Sequence, residues 1–293
     1  MGVAGGNAPL LYDPPRGSAS PRVGGIALFE DLEVGTLEDA KVPTIYSLGF
    51  TERAKRLQAG VKKAHRWLER LFRIDAKTYL AVLDDADWRA SCIPPYGRPH
   101  TVWDGPRGFI VASYDYHDVM IDAMLRIVAQ APPSLERDFR ALRGADEKNI
   151  IRFMDLVVTA HEVCHIFIGE RRLAMGPDWL PELFAHYLTY AYLKQTSPAD
   201  AKVWKLCEDI WASAGDLQYR KLEDYEIHHP DMPIENYLWF QGKFNQRGVQ
   251  MYNRMGVRFA QRAVEEFAVT DREVNRRLND ISPDWGKWIG TFG

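Results

Sequence analysis

The sequence predicts an α+β fold, with a small mixed sheet and one central helix followed by a helical C-terminal part. Three patterns predict it. Two short apolar runs, Tyr79-Leu80-Ala81-Val82-Leu83 and Phe109-Ile110-Val111-Ala112, read as strands. The run from Phe153 to Phe167 has a helical period. After Tyr192 the periodic segments are all helical.

At 293 residues, 46% of them hydrophobic, the chain is long enough for one large domain or two small ones. Residues 1–25 are rich in Gly, Pro, Ser and Ala and read as a flexible leader; they lack the continuous apolar core of a signal peptide. No run reaches the length of a membrane span. The three cysteines, Cys92, Cys164 and Cys207, are too few for a disulfide framework and fit a reducing compartment, so a cytoplasmic location is expected. A net charge of −3 without a marked Lys/Arg cluster speaks against nucleic acid as partner.

In chain order, Thr51–Phe72 is a helix with Thr51 as N-cap, its apolar Ala54, Leu57, Val61, Ala64, Leu68 and Leu71 spaced by three and four. The first strand, 79–83, stops at Asp84-Asp85. Residues 92–107 are broken by Pro and Gly and read as a loop, and the second strand comes after them. Val119–Ala129 is a further helix. Beyond Tyr192, helices are expected over Pro198–Ala214, Pro233–Met255 and Val257–Phe267, with a polar loop, Tyr225–Asp231, among them. His100 and His117 flank the second strand and read as ordinary loop histidines.

Within the central helix stands His161-Glu162-Val163-Cys164-His165, an H-E-x-x-H motif. At about 100° per residue, His165 falls about 40° and Glu162 about 100° from His161, so the three share a face. Leu156, Ala160, Val163 and Phe167 fall about 200–260° away, on the opposite face. Two histidines one turn apart can aim ring nitrogens at one ion, and neutral imidazole suits zinc. Glu162 points too far round to complete a tetrahedron but can serve as a general base toward water. Cys164, about 60° from His161 on the wheel, reads as a small buried hydrophobe with metal ligation as its rival.

After a break at Met175-Gly176-Pro177-Asp178, a second helix starts at Trp179-Leu180-Pro181-Glu182, with Asp178 a candidate N-cap. An antiparallel return brings Glu182 back to the imidazoles, and His161, His165 and Glu182 then form a His₂Glu set with one open position.

Trp179-Leu180-Pro181-Glu182-Leu183-Phe184-Ala185 resembles the W-L-x-E-x-F-A block of gluzincin zinc metallopeptidases, in which that Glu is the third zinc ligand. The resemblance covers residues 150–195 and is weak elsewhere. The His165-to-Glu182 gap of 16 residues (166–181) is shorter than in the best-known gluzincins, and Pro181 and Leu183 replace the usual Asn and Gly. No G-x-M-E-N exopeptidase block is present. The resemblance implies a zincin-like fold whose edge strand lines the cleft and pairs with an extended substrate; Gly108–Ser113 is the candidate, with a plain inner strand as its alternative reading. It also implies an oxyanion donor from the C-terminal helices. Tyr237 is the candidate, with Tyr225, His228 and His229 as rivals. His186, four residues after Glu182, either orients a ligand as its counterpart does in the family or faces solvent.

The expected organisation is a leader (1–25), a mixed α/β part with the edge strand (26–150), a zinc-binding helical core (151–195) and a helical part (196–293). The expected activity is zinc-dependent hydrolysis of a peptide or protein substrate. Glu162 is its base, Tyr237 its oxyanion donor, and His161, His165 and Glu182 are its Zn²⁺ ligands. A peptide-binding module that does not cleave, or a hydrolase of a non-peptide amide, are the alternatives.

Overall fold

The structure is a computed structural model that describes residues 29, 32–91, 98–104, 106–116, 118–142, 146–170, 177–229, 231–266, 276, 278, 280 and 283–292. The leader 1–25, Cys92, His117 and the break at Met175-Gly176 lie outside those residues.

The fold is mixed α+β, 66% helical, so one small five-stranded sheet serves a mostly helical body. In order come β1 (Val34–Leu37), β2 (Thr44–Ser47), α1 (Thr51–Phe72), β3 (Thr78–Leu83), α2 (Asp85–Ala90), β4 (His100–Asp104) and β5 (Arg107–Ser113). The helices after the sheet are α3 (Asp118–Ala129), α4 (Pro133–Ala141), α5 (Asp146–Leu156), α6 (Glu162–Glu170), α7 (Trp179–Thr196), α8 (Pro198–Ala212), α9 (Leu222–His228), α10 (Ile234–Met255), α11 (Arg258–Glu266) and α12 (Trp285–Ile289). Among the described residues, no helix is long and apolar enough to cross a membrane.

The sheet runs β1-β2-β3-β5-β4, with β2, β3 and β5 parallel and the two outer strands antiparallel. Parallel neighbours need a crossover, and α1 supplies it between β2 and β3. Both faces of β3 and β5 are buried, which is why these two strands are legible as unbroken apolar runs. Leu80, Val82, Ile110 and Ala112 join the main core with the helices. Ala81, Leu83, Phe109 and Val111 form a smaller core with Phe29 and Trp88 on the other face.

Several expectations are corrected. Gly108–Ser113 is not an edge: it lies in β5, between β3 and β4. The edge is β4, every residue of it half-buried, in the Pro/Gly-broken stretch that reads as loop in the sequence. Phe50, not Thr51, holds the N-cap position of α1 and supplies no side-chain cap. Tyr225–His228 belong to helix α9, not to a loop. The Asp224 carboxylate starts that helix by accepting from the Arg220 and Lys221 amides at 3.0 and 2.9 Å. Asp178 gives no side-chain cap to α7. Glu226 of α9 does so instead, its two oxygens accepting from the Asp178 and Trp179 amides at 3.0 and 3.1 Å.

Helices α5 and α6 are one helical run joined by a π-helical turn, Val157–His161. A wider turn shifts the phase of the residues beyond it, and such turns are frequent at functional sites. Helix α1 passes so close behind it that a Cβ at Gly60 would collide with the Thr159 side chain. The HExxH motif starts on the last residue of this turn.

Candidate metal centre and cleft

His161 ends the π turn, Glu162 and His165 lie in the first turns of α6, and Glu182 lies in the first turn of α7. The short return between the helices brings the three predicted ligands together. His161 Nε2 and His165 Nε2 are 3.1 Å apart. Glu182 Oε2 is 3.4 Å from His161 Nε2, and its Oε1 is 3.5 Å from His165 Nε2. With metal–ligand bonds of about 2.0–2.1 Å, the edge of a tetrahedron measures about 3.3–3.4 Å. Each contact lies close to that length, the two Glu182 contacts being made by different carboxylate oxygens. Glu182 Oε2 is buried and accepts no hydrogen bond. Carboxylate and imidazole lone pairs facing one another at these distances call for a cation between them, either a proton or a metal ion. Among the described residues, two overlapping groups have the geometry to hold an ion, His161 with Glu162 and His165, and His161 with Glu182 and His186.

The charges are arranged accordingly. Burial works to raise the Glu182 carboxyl, but the imidazoles of His165 and His161 outweigh it and hold the group well below the usual carboxylate range. Burial works to lower the His165 imidazole, and the Glu182 carboxylate overrides it, leaving the ring at about 9.

Glu162 is 5% exposed. Thr101 of the edge strand donates to its Oε2 at 2.9 Å, which fixes the carboxylate against the metal-side face of the helix. The helical wheel puts both histidines and Glu162 on an open front, yet His161 is equally buried, because α7 packs over that front.

His186 does not face solvent. It is 2% exposed, its ring 4.6 Å from that of His161, and its Nε2 lies 2.5 Å from Gln241 Oε1. Its Nδ1 is 3.6 Å from Glu208 Oε1. Burial and the nearby His161 drive the His186 imidazole well below its ordinary value. Burial drives the Glu208 carboxyl well above its own. His186 and Glu208 thus form the buried floor of the site, with Trp204 stacked on His161 at 5.8 Å. Cys164 is no ligand here: its thiol donates to Ala160 O at 3.1 Å, and burial raises it far above the ordinary thiol range.

Tyr237 lies on the cleft, lining a cavity with His161, Glu162 and His186. Burial pushes its hydroxyl up and the Arg98 guanidinium, 3.9 Å from its ring centroid, opposes that. Tyr225 is fully buried behind it, its hydroxyl accepting from Gln241 Nε2 at 3.2 Å. His229 stacks on Tyr225 and His228 on Tyr219, with ring centroids 5.0 and 4.5 Å apart. His100 is in strand β4, its Nδ1 2.8 Å from the Arg98 carbonyl. Sequence reasoning misses Thr101, Arg98, Glu208 and Gln241. Only Gln241 leaves a signal, four residues after Tyr237 and hence on its face of α10.

Comparison of the chain with protein-family models, with curated proteins and with solved structures returns no match.

Proposed function

We propose that the protein is a zinc-dependent hydrolase of peptide bonds, of the gluzincin type and with a zincin-like fold. The observation that carries this reading is the convergence of His161 Nε2, His165 Nε2 and Glu182 at 3.1–3.5 Å. These three residues would hold the metal, and two imidazoles with one carboxylate form a donor set that suits zinc and leaves a position open. Bound there, the ion would supply a Lewis acid that polarises a carbonyl and acidifies water.

The remaining chemistry belongs to the chain. Glu162 holds one oxygen on Thr101 and keeps the other for the proton it takes from the attacking water and returns to the leaving nitrogen. Tyr237 donates its hydroxyl to the oxyanion. The outer edge of β4, which carries Thr101, offers backbone groups to an extended peptide.

Metal analysis beside a peptide-cleavage profile tests the reading. About one zinc per chain is expected, lost in Glu182→Ala. Glu162→Gln is expected to keep its zinc while hydrolysis falls by roughly 10²–10⁴. Unchanged turnover in Glu162→Gln removes the mechanism, and full zinc retention in Glu182→Ala removes that ligand.

A further inference from the structure

Arg98 stands at the start of the edge strand and lines the same cavity as His161, Glu162 and Tyr237. Its guanidinium lies over the Tyr237 ring, 3.9 Å from the centroid. No carboxylate lies within ion-pair distance of it among the described residues, although Glu182 reaches it electrostatically. A half-buried guanidinium facing a cavity without a carboxylate partner has lost hydration and gained the Tyr237 ring face and a hydrogen bond to its hydroxyl, neither of which carries a negative charge. Its planar fork of donors matches a carboxylate.

The rest of the cavity narrows what carries that carboxylate. Beyond Arg98 one part of the wall is apolar, from Met120, Met124, Phe153, Met154, Val157 and Leu238, and the rest is polar, from His161, Glu162, His186 and Gln241 beside Tyr237. Glu208 also lines the cavity, and burial pushes its carboxyl well above the usual carboxylate range. The free space is about 60 Å³, and at roughly 10–15 Å³ per water-sized occupant it takes about four to six non-hydrogen atoms. That is room for a Val, Leu or Met side chain. An acidic side chain entering there would meet hydrocarbon and the side chains of Glu162 and Glu208. An apolar side chain with a carboxylate beside it, at the mouth, satisfies both parts of the cavity. A C-terminal residue has that form, its α-carboxylate one residue's length, about 3.8 Å, beyond the amide that Tyr237 and Glu162 serve.

We infer that the cleft binds the free C-terminus of a peptide, with Arg98 pairing the α-carboxylate and the cavity holding an apolar last side chain. The inference rests on the hydrolase reading for its chemistry. The last peptide C–N bond breaks, water oxygen joins the acyl carbon, and the leaving nitrogen takes the proton Glu162 carried. The protein would then release single apolar amino acids.

The test compares peptides ending in Ala-Leu as the free acid and as the C-terminal amide, with and without Arg98→Gln and Arg98→Lys. The acid is expected to exceed the amide in kcat/KM by roughly 10–100-fold, the scale of one charged hydrogen-bonded pair. Arg98→Gln is expected to bring that ratio to about one, and Arg98→Lys to keep part of it. Equal rates for acid and amide in the native chain overturn the inference, as does a ratio that survives Arg98→Gln. Calorimetric binding of N-acetyl-leucine against N-acetyl-leucinamide gives a readout without turnover. If the acid binds more tightly through Arg98 while no peptide is cleaved, the carboxylate site stands and the hydrolase reading falls. If peptides are cleaved but neither compound shows an Arg98-dependent difference, the carboxylate site falls and the hydrolase reading stands.

Discussion

Tyr225 is buried and Tyr237 half-buried, both within electrostatic reach of Glu182, and the difference between them is what each hydroxyl meets. The Tyr225 hydroxyl accepts from Gln241 inside the protein, whereas Tyr237 lines the cavity beside Glu162 with its hydroxyl hydrogen-bonded to Arg98. Tyr237→Phe removes one hydroxyl and leaves the ring under Arg98. It is expected to lower kcat by roughly 10²–10³ with zinc occupancy intact, because the oxyanion accepts that bond more strongly than the ground-state carbonyl. Tyr225→Phe is expected to cost about 1 kcal/mol of stability, by the loss of one interior hydrogen bond, with little effect on kcat. Steady-state kinetics of the two variants decide the assignment, and the reverse pattern moves the donor to α9. At this scale the sequence is most legible where spacing is local. His161 and His165 lie on one turn, and Glu182 needs only a short antiparallel return. The partners that complete the site are not local: Thr101, Arg98, Glu208 and Gln241 come from three other elements, and no spacing relates them to the motif.

Helices are easier to read than strands because their period is sustained over many turns. Thr51–Phe72 is legible to the residue, and α10 and α11 to within one or two. Strands β1, β2 and β4 span only 4 or 5 residues and lie at or near the edge of the sheet, so none shows an apolar run. An apolar run therefore points to β5 as the cleft strand, although its less apolar neighbour β4 holds the edge. The π turn is also invisible, since the sequence does not announce a change from one helical pitch to another. Helix α10 carries Tyr237 and Gln241, and its distance from α8 is set by Gly242. A Cβ there would meet Glu208 O at 2.5 Å and the Ala212 amide nitrogen at 2.6 Å, backbone atoms that cannot rotate away. Gly242→Val is expected to destabilise the fold by about 1–3 kcal/mol in urea unfolding. It is also expected to lower hydrolysis in the molecules that remain folded, because α10 must move away from the site. Gly215→Ala, where an added Cβ meets nothing within 4 Å, is the control and is expected to stay within about 0.5 kcal/mol. A neutral Gly242→Val would show that α8 and α10 can part without cost.

On the scale of the whole molecule, the paired charges of the centre link folding, protons and metal. Beside Glu182, the His165 imidazole stands at about 9, above its ordinary 6.5. In the metal-free protein this contact contributes its full stability below pH 6.5 and loses it as pH rises through about 9. The Glu182 carboxyl is shifted the other way, below its ordinary 4.5, so its contribution is present above pH 4.5 and is lost as pH falls through its lowered value. The pair therefore stabilises the metal-free fold most between pH 4.5 and 6.5. A metal ion needs the neutral His165 ring, so zinc must displace one proton throughout the range below about 9. Zinc affinity is expected to rise about tenfold per pH unit from 6.5 toward 9 and then to level off. Since ligand binding to the folded state adds to its stability, the gap in melting temperature between zinc-loaded and chelator-treated protein should widen over the same range, by about 1.4 kcal/mol per unit. Melting curves at fixed free zinc across that window test the linkage. A gap that stays constant with pH would mean that no proton leaves when zinc enters, and His165 would then not be a ligand.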